Sequence, residues 1–150
     1  MKKIRLLIIE EHAAVRRALE IRLRSATRIE LLTTTDDLSV GRQAVHQSQP
    51  DVVLLGCKGS RNEKLFSLIE AVREMVERQT AVIALASYAD EVEREMLLQA
   101  GVSRYLLKDI NSPQLINEIE SIAQRQYNPR CFYPADYLFS PGSGYGQTKA

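Results

Sequence analysis

Two adjacent carboxylates, Glu10 and Glu11, follow the apolar run IRLLII at residues 4–9. Lys108 follows a second run, YLL at 105–107, and Gly56 and Cys57 follow a third, VVLL at 52–55. A fourth run, AVIALA at 81–86, ends in Ala86 and leads into Ser87. Paired carboxylates facing an ammonium suit a hard cation and an anion bound side by side. A nucleotide or flavin phosphate is a poorer match, because EEHAAVR stands where a Gly-rich phosphate loop would supply backbone N–H groups. No nucleophile–base pair is evident, so enzymatic chemistry is not expected. The two cysteines, Cys57 and Cys131, provide neither a disulfide framework nor, with two histidines, a zinc site. A thiol at Cys57 beside acids is expected to be unreactive. His12 is expected at the start of a helix, and Ser87 on the opposite side of its strand from Ala86.

These residues need a scaffold that brings the ends of separate apolar runs together. The runs, with ELLTT at 30–34, recur about one strand plus one helix apart and lack polar alternation, as strands of a parallel sheet covered on both faces do. The segments between them have helical periodicity. Helices are expected at about 13–25, 38–48 (with Gly41 a costly residue inside it), 65–76, from Asp90 as cap to Ala100 with Gly101 as stop, and 112–124 with Ser112 as cap and Pro113 in the first turn. Five strand–helix units with right-handed crossovers imply an α/β, doubly wound, five-stranded parallel sheet of the flavodoxin-like type, in order 2-1-3-4-5 with helices on both faces. Such sheets bind ligands outside the carboxyl ends of their strands, where Glu10, Glu11, Gly56, Ala86 and Lys108 fall.

Composition narrows the classes further. The 150 residues are 45% hydrophobic, which suits one domain with a sizeable core. Twenty basic and 19 acidic residues leave a net charge of +1, with no global pull toward nucleic acid. No run approaches the roughly 20 apolar residues of a membrane span, and acids interrupt the opening MKKIRLLIIEEH too early for a signal peptide. A cytoplasmic protein is expected.

At IRLLIIEEH, QPDVVLL, AVIALASY and LQAGVSRYLLKD followed by SPQLINEI, the chain resembles the receiver domains of bacterial two-component response regulators. It is most similar to receivers that carry helix-turn-helix outputs. The resemblance spans residues 4–124. It implies an acidic pair for Mg²⁺ at Glu10–Glu11, a state-reporting aromatic at Tyr105 and a phosphoryl-pairing lysine at Lys108. It also places the phosphoacceptor aspartate at Gly56 and the phosphoryl-contacting hydroxyl at Ala86. Glycine cannot form an acyl phosphate, and the cation loses one of its ligands with that aspartate. The expectation is therefore a degenerate receiver with no cofactor, or Mg²⁺ held weakly by Glu10 and Glu11. Those two glutamates are expected to stand further out than aspartates would and to pair with Lys108.

Such a module would signal by phosphorylation-independent protein–protein contact, through the helix 4–strand 5–helix 5 face around Tyr105. Candidate partners are a histidine kinase, another regulator, a separate output protein or a second copy of the chain. The alternatives are a small-ligand or metal sensor in the vestigial crevice, or a decoy that binds a kinase. Residues 1–28 carry eight basic and three acidic side chains. Within them Arg16, Arg17, Arg22, Arg24 and Arg28 form a basic face, and Arg16 and Arg17 are the candidate partner contacts. Residues 125–150 are rich in aromatics, Pro and Gly, with Tyr127, Phe132, Tyr133, Tyr137, Phe139 and Tyr145 crowded together. They are too few for a DNA-binding domain with its own core, so no direct nucleic-acid contact is expected. Burial against the domain, a dimer mate or a partner would account for the aromatics.

Overall fold

The computed structural model describes residues 2–127. Within them, strands β1 (Ile4–Ile9), β2 (Ile29–Thr35), β3 (Val52–Cys57), β4 (Ala81–Ala86) and β5 (Arg104–Leu107) alternate with helices. The helices are α1 (Ala13–Arg24), α2 (Leu38–Ser48), α3 (Leu65–Glu77), α4 (Glu91–Ala100) and α5 (Ser112–Tyr127). The strands form one parallel sheet in the order β2-β1-β3-β4-β5, the flavodoxin-like topology expected.

Strand alternation divides the core into two layers. Leu7, Ile9, Val53, Leu55, Val82 and Ala84 face Leu65, Leu68, Val72, Met75 and Leu97, on α3 and α4. Leu6, Ile8, Val52, Leu54, Ile83 and Leu85 face Leu19, Leu23, Leu115, Ile119 and Ile122, on α1 and α5. This two-sided burial explains why β3 and β4 carry no polar interruption, and all six residues of β4 are buried.

Gly41 now has a reason. A Cβ there would meet the side chain of Ile9, with Cγ1 only 2.6 Å away, so its absence lets α2 approach β1. The start of α5 differs from expectation. Asn111 is its cap: the side-chain oxygen accepts the Gln114 N–H at 2.9 Å, and the carbonyl accepts the Leu115 N–H at 3.0 Å. Ser112 is already helical, and its hydroxyl is occupied as the acceptor of a bond from Arg22 Nε at 2.8 Å. The helix also continues to Tyr127, past the boundary expected at residue 124. The other tail aromatics and Cys131 lie outside the described residues.

Candidate functional site

The carboxyl ends of β1, β3, β4 and β5 open on a cleft of about 420 Å³ lined by Glu10, Glu11, His12, Cys57, Lys58, Ser87 and Lys108. His12 caps α1, its Nδ1 accepting the Val15 N–H at 3.4 Å, and so serves the helix as expected.

Glu10 is the centre of the arrangement. It is only 4% exposed. Its carboxylate covers Gly56: a Cβ on that residue would lie 2.7 Å from Glu10 Cδ and 3.2 Å from Oε2, with Oε1 closer still. The Lys108 ammonium stands 2.9 Å from Oε1 and donates to Oε2 at 3.2 Å, while the His12 backbone N–H donates to Oε2 at 2.9 Å. Oε1 makes no hydrogen bond among the described residues and is held by the charge of Lys108. The expected glutamate–Lys108 pair therefore forms, but through Glu10 and inside the protein. The extra methylene carries this carboxylate into the space left by Gly56 instead of moving it outward.

Glu11 departs from expectation in another way. It turns to Lys58 and to Lys64, the latter at 3.3 Å, and not to Lys108. The hydrogen bond from Lys58 is the main cause holding its carboxyl below the ordinary carboxylate range. These ion pairs are half-exposed, so solvent screening leaves each worth about 1 kcal/mol or less.

The divalent cation implied by the family resemblance is a poor match for this set. The two glutamates are committed to different lysines, and no side chain arises at residue 56. Among the described residues no group of three or more His, Cys, Asp or Glu is arranged for a metal.

Ala86 is buried beside Cys57 and Leu107 and brings no hydroxyl to the crevice. Ser87 does line the cleft, contrary to expectation, because it follows the last residue of β4 and escapes strand alternation. Cys57 is buried, and desolvation pushes its thiol far above the ordinary thiol range. In a Cys131→Ser variant at pH 8, a thiol reagent is expected to label native Cys57 at least about 100-fold more slowly than the urea-unfolded chain. Comparable rates would show that the crevice admits reagent to the sulfur.

Tyr105 is half-buried on β5, and its hydroxyl donates to Glu93 Oε1 at 2.7 Å. Burial and the neighbouring carboxylate push the phenol well above its usual range, so it remains a donor. Nothing in the sequence singles out Glu93. An acid in the first turn of a helix is ordinarily a solvated complement to the helix dipole, and nothing local in VEREM marks this one as buried.

The basic face is also thinner than expected. Arg16 Nη1 donates to the Glu10 carbonyl at 2.9 Å, and Arg22 donates to the Ile110 carbonyl at 2.6 Å and to Ser112, so both brace loops of the fold. Arg17 and Arg24 remain exposed. No helix among the described residues is long and apolar enough to cross a membrane.

Comparison with known proteins agrees with this architecture. The profile of the response regulator receiver domain matches residues 6–120. The transcriptional regulatory protein DegU of Brevibacillus brevis is 27% identical over 124 residues, covering 81% of this chain and 51% of that protein. The oxygen regulatory protein NreC of Staphylococcus carnosus is 28% identical over 121 residues, covering 79% of this chain and 54% of that protein. The chain thus spans about half the length of the curated relatives it matches. In fold it is similar to the signal receiver domain of NarL from Mycobacterium tuberculosis, with a TM-score of 0.72 at 21% identity over 83% of this chain and 98% of that one.

Proposed function

The chain belongs to the response regulator receiver domain family, and from that premise we propose that it is a non-enzymatic receiver that signals without being phosphorylated. The observation that carries this reading is the replacement at the centre of the crevice. The acceptor position is Gly56, and a carboxylate from β1 fills the space above it and neutralises Lys108. An acyl phosphate needs a carboxylate on β3 that can attack phosphorus, and glycine supplies none. The charge that a phosphoryl group would bring to Lys108 is already present as Glu10.

The module works in the cytoplasm through protein–protein contact. Its partners are a second copy of the chain, a histidine kinase, another regulator or a separate output protein, and the contact surface is the α4–β5–α5 face around Tyr105. Exposed Val92 and Leu107 give that face apolar anchors. This contact needs no Mg²⁺.

Incubation of the full chain with acetyl phosphate and Mg²⁺ is expected to leave its intact mass unchanged. A gain of one phosphoryl group, mapped anywhere in the crevice, overturns the reading.

A further inference from the structure

Glu93 is a buried carboxylate, 1% exposed, that does not line the cleft. A charge taken out of water is costly unless it is matched by good donors. Glu93 has two from different parts of the chain. Its Oε2 accepts the backbone N–H of Gly59, in the β3–α3 loop, at 2.6 Å. Its Oε1 accepts the Tyr105 hydroxyl, from β5, at 2.7 Å. Asp90, the cap of α4, reinforces the first connection. One of its oxygens accepts the Ser60 N–H at 2.7 Å, and the other accepts the Glu93 N–H at 3.0 Å.

The loop itself is shaped for this contact. Gly59 has φ of +100°, a region that disfavours side chains, and a Cβ there would press on Tyr88, whose Cζ would be 3.3 Å away. The preceding residue, Lys58, holds Glu11 at the crevice. Glu11 is thus tied by an ion pair to Lys58, whose chain neighbour Gly59 is hydrogen-bonded to Glu93, which in turn holds Tyr105. Ala86, at the end of β4, has no hydroxyl with which to connect the crevice to Tyr105 by another route.

We propose that Glu93 is a positioning residue that latches the β3–α3 loop and Tyr105 to α4, holding the α4–β5 face in one arrangement. The inference rests on the phosphorylation-independent reading and deepens it: the face offered to a partner is set by bonds internal to the chain. Once the phenol is held by Glu93, turning Tyr105 outward would leave the buried carboxylate with only its backbone donor. Moving α4 away would strip donors from Glu93 and acceptors from the Gly59 and Ser60 amides together.

Residue-resolved amide exchange on the full chain tests this, with exchange in β1 as the control for global stability. Glu93→Met keeps the bulk and removes the acceptors. It is expected to speed exchange at Gly59 and in the first turn of α4 by about tenfold, with β1 unchanged. Glu93→Gln keeps a carbonyl for Gly59 and an amide group that the Tyr105 oxygen can accept from, so it is expected to stay within about threefold of the parent. Tyr105→Phe cuts only the β5 contact, and keeps the test open if Glu93→Met does not fold. It is expected to speed exchange in β5 and leave Gly59 protected. Parent-like exchange at Gly59 in a folded Glu93→Met, or in β5 of Tyr105→Phe, overturns the latch. Neither result touches the acetyl phosphate test, whose outcome does not depend on Glu93.

Discussion

Replacing Lys108 with alanine is expected to destabilise the fold by about 3 kcal/mol, a large share of the stability of a domain this size. The reason is what it leaves behind. Glu10 is 4% exposed and Lys108 side-chain exposure is 14%, so this pair is far drier than the Glu11 pairs. Without the ammonium, Glu10 keeps one backbone donor, the His12 N–H, against a full buried charge. Urea titration of the variant should show a lower midpoint with an unchanged slope, because the surface exposed on unfolding is the same. Removing both charges, as in Glu10→Leu with Lys108→Met, should recover most of the loss, since no charge is then stranded. Lys58→Ala sets the scale from the other side: its partner Glu11 is half-exposed and retains Lys64, so the change should be no more than about 0.5 kcal/mol. A Lys108→Ala midpoint equal to the parent's would mean that the Glu10 charge carries no weight in the fold.

The contrast between Glu10 and Glu11 shows where sequence reading succeeds and where it stops. The scaffold was legible because its strands are buried on both faces, so VVLL and AVIALA carry no polar residue to disguise them. Asp90 and Gly101 bounded α4 correctly because capping and left-handed stops are local requirements written in one or two residues. The positions around the crevice were legible for the same reason: strand ends meet wherever the topology puts them. The directions of the side chains were not. Glu10 and Glu11 are chemically identical neighbours, and the space over Gly56, 46 residues away in the chain, is filled by the first while the second turns to Lys58 and Lys64. Arg16 and Arg22 count as surface charge in any tally, yet each is spent on a carbonyl that becomes available only after the β1–α1 and β5–α5 loops have folded. Glu93 is the extreme case. Its burial depends on Gly59 and Tyr105 arriving from either side, and neither is near it in sequence.

The same dependence makes Gly56→Ala informative out of proportion to one methyl group. Gly56 has no left-handed backbone to protect, since the positive-φ glycines among the described residues are Gly59 and Gly101. On backbone entropy alone, alanine in a strand interior should gain about 0.5–1 kcal/mol over glycine. The structure reverses that sign. The new Cβ would stand 2.7 Å from Glu10 Cδ, so the carboxylate must leave its place or β3 must shift. Glu10 cannot yield cheaply, because it is held by Lys108 and the His12 N–H inside a buried site. Overpacking of this kind costs about 1–3 kcal/mol, and a net loss of about 2 kcal/mol is expected on urea titration. In a Glu10→Asp background the carboxylate is one methylene shorter, the collision is relieved, and the same Gly56→Ala change should be neutral or slightly stabilising. The double-mutant cycle should therefore give a coupling of at least about 1 kcal/mol between residues 10 and 56. Simple additivity would mean that Glu10 leaves freely and does not occupy the acceptor's place. The same coupling governs any attempt to restore the acceptor: Gly56→Asp alone should remain unphosphorylated by acetyl phosphate, because its carboxylate must compete with Glu10 for one cavity and one lysine.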